Sequence, residues 1–301
     1  MYSRRYDRME GFFRQTAGTN AISAQIQDCH GFQRCLKGET LSMPSPIQIG
    51  IIIALPTEWG YFRKVFHVHQ EQRLGGCRHY MGRFGRLPIS VVISGVGKTN
   101  ARTAAQLLCE SDRPSALVSL GYAGALNPEL KRGDIVLSSY CRNDEEIQVT
   151  ALDQNLSERL KAVADESHEH HVYVSPLYTA NRIIARHEEK RQLYDRMHTD
   201  IVDMESFAVY QIAKSRGIPF IGIHAITDTA EEDIPALEII TPFLMSKSLM
   251  RYPKIFWDMA RRPKFAWDLA LLNHDAKVAG RNLTHFLMCN SPNLGSLMAK
   301  L

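Results

Sequence analysis

The stretch IQIGIIIALPTEWG, Ile47–Gly60, decides the class of fold. Its first nine residues are almost wholly apolar and rich in β-branched side chains. A run without polar alternation is expected of a strand covered on both faces. Pro56 then ends the strand, and Thr57 and Glu58 stand where the first turn of a helix would begin. A doubly buried strand feeding a helix is the opening unit of an α/β sheet with helices above and below it.

Working outward, a Gly75-Gly76 turn joins segments that continue through Cys77–Phe84 and Leu87–Ser94, the pattern of an antiparallel meander. Ala116–Leu120, Ile135–Ser139, Val172–Ser175 and Phe220–Ile226 read as further strands. Thr99–Glu110 reads as a helix with Ala101, Ala104, Ala105 and Leu108 on one face. Met204–Arg216 reads as another, stopped by Gly217 with Pro219 beyond it. The expected fold is therefore a three-layer α/β/α domain with a mixed central sheet, over residues 47–235. Residues 1–46 show no sustained periodicity and read as a poorly ordered extension, with Met43 as an alternative start. Residues 236–301 read as a helical extension rich in basic and aromatic side chains.

Composition limits the function. A chain of 301 residues can bury one sizeable core, and a net charge of only +4 gives no argument for nucleic acid. No apolar run approaches the roughly 18 residues of a membrane span, and no apolar region follows Arg4 and Arg5 to make a secretory signal. Six cysteines lie scattered without CxxC spacing, as in a reduced cytoplasmic protein.

In such sheets ligands gather at the carboxyl ends of the strands. Glu58 follows the first strand, Gly95-Val96-Gly97-Lys98 follows Leu87–Ser94, and Gly121-Tyr122-Ala123-Gly124 follows Ala116–Leu120. Thr227-Asp228 follows Phe220–Ile226, and Asp203-Met204-Glu205 precedes a helix. Two glycine-rich turns and three acidic groups are thus expected on one face. SGVGKT is not a phosphate loop, because the motif needs glycine where Val92 stands, and Asn100 breaks a dinucleotide pattern. No cofactor is expected.

Five segments in order, IGIIIALPTEW, SGVGKTNA, SLGYAGALNPELKRGDIVLS, DMESFAVYQIAKSRGIPF and HAITDTAEED, resemble those of the nucleoside phosphorylase/nucleosidase superfamily. Within it they look most like the 5′-methylthioadenosine/S-adenosylhomocysteine nucleosidases. The resemblance implies a homo-oligomer acting on a small nucleoside, with no nucleic acid partner. Glu58 falls on the carboxylate that activates water, Asp228 on the aspartate that protonates the purine, and Glu205, beside Met204, on the glutamate that binds the ribose hydroxyls. Gly121, Tyr122, Ala123 and Gly124 fall on the loop lining ribose and base, Gly95 and Gly97 on the adjacent turn, and Thr227 beside Asp228. Tyr178 falls loosely on a segment that stacks on the purine.

The chemistry suits these residue types. An N-ribosidic bond breaks through an oxocarbenium-like state with a poor leaving group. A carboxyl held neutral by burial can protonate the base, while a second carboxylate positions water and stabilises the sugar cation. The bare residues also allow a plainer reading. Asp228 begins an Asp-x-x-Glu pattern, and all three acids lie near helix N-termini, where they would merely cap.

Hydrolysis is favoured over phosphorolysis, because Ser119 stands where many phosphorylases place arginine and Glu58 would repel phosphate. The alternatives are a phosphate-using phosphorylase and a non-catalytic nucleoside binder. The segment MSKSLMRYPKIFWDMARRPKFAWDLALLNHDAKVAGRNL resembles the extension of the hopanoid-associated phosphorylase branch, which implies an adenosylhopane-like substrate. Its Trp257, Phe265, Trp267, Leu269 and Leu272 among basic residues suit a peripheral lipid contact, or a helical cap packed on the core. Ser167-His168-Glu169-His170-His171 invites a metal reading. Structural sites want four convergent ligands and no matching set is visible elsewhere, so no metal is expected.

Overall fold

Strand β1 (Ile49–Ile53) is buried at all five positions and forms parallel pairs on both sides, with β4 (Leu87–Ile93) and with β5 (Ala116–Ala125). Its alternation sends Ile49, Ile51 and Ile53 to one face, against Trp59 and Phe62. Ile52 goes to the other, against Ala101, Ala104, Ala105 and Leu108. Two cores flank one sheet, which is the expected three-layer arrangement. The computed structural model describes residues 48–144, 154–244 and 263–299, all part of the unit Pro46–Leu301. The extension expected at 1–46 and the basic, aromatic stretch around Trp257 lie outside the described residues.

The meander β2 (His67–Leu74), β3 (Cys77–Phe84) and β4 is antiparallel, as its glycine turn suggests. Beyond β5 the sheet divides. One branch runs through β10 (Ile201–Asp203), β9 (Leu177–Thr179) and β7 (Cys141–Arg142). The other runs through β11 (Phe220–Asp228), β6 (Ile135–Ser138) and β8 (Val172–Val174). Parallel and antiparallel pairs alternate between the branches, so the sheet is mixed.

Helix α1 (Pro56–Phe62) follows β1, and α2 (Lys98–Asp112) follows β4. Next come α3 (Gln154–Asp165), α4 (His187–Met197) and α5 (Ser206–Arg216), the last ended by Gly217 at φ 65° as its sequence foretold. The C-terminal part forms α6 (Pro235–Leu244), α7 (Pro263–Cys289) and α8 (Ser291–Ala299). Among the described residues no helix is long and apolar enough to cross a membrane.

The second half of α7 is a cap on the core, with Ala279, Leu283 and Phe286 fully buried beside β1 and α1 side chains. Its first half differs, leaving Trp267 73% and Leu271 47% exposed one turn apart. Gly280 sits where α7 crosses α1 and β5. A Cβ there would lie 2.5 Å from Tyr122 Oη and 2.8 Å from the Tyr61 ring. Helix propensity alone would make Gly280→Ala stabilising by about 1 kcal/mol. Overpacking costs about 1–3 kcal/mol and should win. Thermal unfolding is therefore expected to give a lower Tm, and a higher one would mean that α7 does not press on Tyr122.

Candidate active site

The site is organised by an interruption beside β5. Leu117 N–H donates to Pro219 O at 2.9 Å, so odd-numbered amides of β5 face β11 and even-numbered ones face the opposite edge. On that opposite edge β1 pairs as far as Ser119, and β10 begins pairing only at Gly124. Tyr122 falls in the gap, and its N–H donates to Glu58 Oε1 at 3.1 Å. Leu55 N–H donates to Glu58 Oε2 at 2.8 Å. Glu58 thus does cap its own helix, as the plainer reading had it, while its other oxygen fills the break in the sheet. The side chain is 3% exposed. Burial pushes its pKa up to about 7, against the lowering by the backbone hydrogen bonds of Leu55, Tyr122 and Ala54, and Asp203 adds a smaller upward push.

Glu205 occupies the N-cap position of α5, yet its carboxylate makes no cap bond. It turns back to accept from Gly97 N–H at 2.6 Å and from Met204 N–H at 3.2 Å. Gly97 has φ 98° and Gly95 φ 88°, values that favour glycine and let the turn after β4 aim its amide at an anion. Burial raises the pKa of Glu205, and Asp203 and Glu58 raise it further. Asp203 is buried and held by Thr179 Oγ1 at 2.6 Å and Ser206 N–H at 2.8 Å.

Asp228 is the last residue of β11, not the start of a helix, and in the turn that follows Glu232 accepts from Thr229 N–H at 3.0 Å. A register shift between Ile226 and Asp228 brings Asp228 opposite Gly124. Thr227 Oγ1 donates to Asp228 Oδ1 at 2.8 Å. Lys190, fully buried on α4, donates to Asp228 Oδ2 at 2.7 Å, to Thr229 O at 2.7 Å and to Glu232 O at 3.2 Å. Arg132 fixes the same corner, with Nε on Thr227 O at 3.0 Å and its guanidinium on Glu232.

Gly121–Gly124 is not the turn its composition suggests. All four residues lie within β5, and neither glycine has a positive φ. Their purpose is close approach. A Cβ on Gly121 would lie 2.9 Å from Glu58 Oε1, and one on Gly124 would lie 2.8 Å from Asp228 Oδ2. The two glycines therefore seat two carboxylates three residues apart, which is about 10 Å along a strand.

Other expected residues divide. Ala123 offers its carbonyl to Thr227 Oγ1 at 3.3 Å. Tyr122 contributes its amide, while its ring packs edge-on to Phe62 beneath α7. Its buried hydroxyl has no hydrogen-bond partner among the described residues. Tyr178 corrects the expectation of a purine-stacking ring. It is 3% exposed and packs in a separate cluster with Leu126, Ile184 and Met197, its hydroxyl donating to Asp144 at 2.8 Å. Ser119 is buried, and Ser206 Oγ donates to it at 2.7 Å; Arg102 is engaged with Gln211. The Ser119 position presents no cation for phosphate.

Lys190 was missed because HEEKRQLYDRM reads as a solvated helix. Its phase was the available signal, since Lys190 shares a face with buried Leu193 and Met197 at helical spacing.

The model of the Phosphorylase superfamily matches residues 48–241. The 5′-methylthioadenosine/S-adenosylhomocysteine nucleosidase of Marinomonas sp. (strain MWYL1) is 27% identical over 206 residues, 62% of this chain and 88% of that protein. An S-adenosylhomocysteine nucleosidase from Streptococcus pyogenes superposes with TM-score 0.59 at 22% identity, covering 82% of this chain and 98% of that one. Futalosine hydrolase of Helicobacter pylori strain 26695 gives TM-score 0.56 at 21% identity, covering 72% and 98%. Both likenesses show the fold.

Proposed function

Because the chain belongs to the Phosphorylase superfamily, we propose that it is a purine nucleosidase that hydrolyses the N-ribosidic bond of an adenine nucleoside. The observation that carries this reading is the pairing of Gly121 with Glu58 and Gly124 with Asp228 along one strand. The sugar lies at the Glu58 end, where Glu205 accepts hydrogen bonds from its hydroxyls. The base lies at the Asp228 end. Asp228 relays a proton from the Lys190 ammonium in contact with Oδ2 to a ring nitrogen as the bond to C1′ breaks, and the proton released from the attacking water replaces it through solvent. Glu58, as carboxylate, takes a proton from the water that attacks C1′. Hydrolysis is favoured over phosphorolysis because Ser119, where a phosphorylase would be expected to hold a cation, is a buried hydroxyl bonded to Ser206.

Incubation with methylthioadenosine, adenosylhomocysteine, adenosine and an adenosyl-hopanoid, with adenine as the readout, tests the assignment. Release from none of them would end it. The exposed Trp267 and Leu271 favour a second reading of the 5′ group, in which an apolar chain lies along the first half of α7. Preference for methylthioadenosine over the adenosyl-hopanoid would remove that reading.

The raised pKa of Glu58 has two consequences. Its catalytic form is the carboxylate, so kcat/KM should rise with pH through about 7, a limb that Glu58→Gln abolishes. Stability should move the other way. Between the ordinary value of 4.5 and about 7 the folded chain keeps a proton that the unfolded chain has lost. Folding is therefore most favoured below 4.5, and up to about 3 kcal/mol is lost as pH rises through 7. Unfolding of wild type and Glu58→Gln from pH 4.5 to 8 should show the variant gaining relative to wild type; a constant difference would mean that Glu58 is not buried.

A further inference from the structure

We infer that Glu169, His285 and Cys289 form a zinc site, unrelated to the carboxylate cluster, that staples α7 to the loop between α3 and β8. His285 and Cys289 are four residues apart on α7 and so project from one helical face. Glu169 reaches them from the loop. Its Oε2 lies 3.6 Å from His285 Nε2 and 3.7 Å from Cys289 Sγ, and Cys289 Sγ lies 3.6 Å from His285 Nε2. Around a tetrahedral Zn²⁺, with N and O ligands near 2.0–2.1 Å and S near 2.3 Å, ligand atoms stand about 3.3–3.6 Å apart. The three atoms already form a triangle of nearly that size.

The partner of the histidine supports the same conclusion. His285 Nδ1 lies 3.0 Å from His170 Nε2, with the rings edge to face. A metal-bound imidazole is oriented by a hydrogen bond at its other nitrogen, and His170 is placed to make it. The donor set chooses the ion. One thiolate, one imidazole and one carboxylate suit zinc, whereas Mg²⁺ and Ca²⁺ want oxygen alone. The cluster is open to solvent, with side-chain exposures of 55% for His285 and 67% for Glu169, which leaves a fourth position for water. On binding, a zinc–sulfur bond forms and the Cys289 thiol proton passes to solvent.

The site would act where α7 is already tied to the same region. Ser167 Oγ donates to Asn290 Oδ1 at 3.0 Å, and Asn293 Nδ2 donates to Glu166 at 2.8 Å. Two His, one Glu and one Cys from segments more than 100 residues apart are brought into contact. Of the SHEHH stretch, Glu169 is a ligand and His170 a hydrogen-bond partner, so the site is a three-ligand one with an open fourth position.

The test uses the full chain, stripped with a chelator and dialysed. Titration with Zn²⁺ against a chromophoric chelator is expected to show one tightly bound ion per chain. Co²⁺ should give a tetrahedral spectrum with a thiolate-to-metal charge-transfer band. Cys289→Ser should abolish that band, and Cys289→Ser and His285→Ala should each weaken Zn²⁺ binding more than His170→Ala, for which roughly 10–100-fold is expected. All three residues lie outside the carboxylate cluster, so adenine release by the metal-free variants should match that of metal-free wild type. Absence of zinc binding by the wild-type chain would overturn the assignment, as would binding that Cys289→Ser and His285→Ala leave unchanged. Neither result touches the nucleosidase proposal.

Discussion

Asp228→Asn is expected to lower kcat for adenine release by about 10²–10⁴-fold, the range associated with loss of a general acid. Asparagine keeps the shape of the side chain and an acceptor for the Thr227 hydroxyl, which donates to Oδ1 at 2.8 Å. What it lacks is the carboxylate that relays the Lys190 proton to the base. Nucleoside binding should therefore survive while turnover fails, a loss in kcat rather than in KM. Because the substitution also leaves the buried Lys190 ammonium without its counter-charge, Tm must be measured beside activity. Lys190→Met/Asp228→Asn removes both charges and serves as a folded reference that should be equally inactive. Wild-type turnover by Asp228→Asn would refute the role.

The second large effect is on stability. Lys190→Met keeps the length of the side chain but strands Asp228, which is 6% exposed, and removes the donor to Thr229 O and Glu232 O. Breaking one half of a buried ion pair costs about 3–5 kcal/mol, because the remaining charge has no counter-charge and keeps only the Thr227 hydroxyl. For a folded unit of this size that corresponds to a Tm lower by roughly 6–20 °C. The double variant should recover most of the loss, since replacing both charges is far milder than removing one. A single-variant loss under about 1 kcal/mol would mean that the pair does not form in the folded chain.

Much of this was legible in the sequence, and the exceptions have physical causes. Ile49–Ile53 and Leu87–Ile93 announced themselves because a doubly covered strand must be apolar at every position. Gly217 announced the end of α5 because a left-handed C-cap favours glycine. β9 and β10, at three residues each, are too short to display a period, so the branch carrying Asp203 stayed hidden. Gly121 and Gly124 were visible as glycines, but a missing Cβ looks the same whether a turn or an approaching carboxylate requires it. Tyr178 was misplaced because an aromatic side chain before a loop serves packing as readily as stacking. His285 and Cys289 pointed nowhere until the fold carried Glu169 to them.

The central claim is that Glu58, Glu205 and Asp228 cleave an N-ribosidic bond with water. It is tested most directly by product analysis after turnover of methylthioadenosine, with and without saturating inorganic phosphate. Adenine and a free reducing sugar are expected at the same rate in both. A strict need for phosphate, with the sugar recovered as its 1-phosphate, would contradict it.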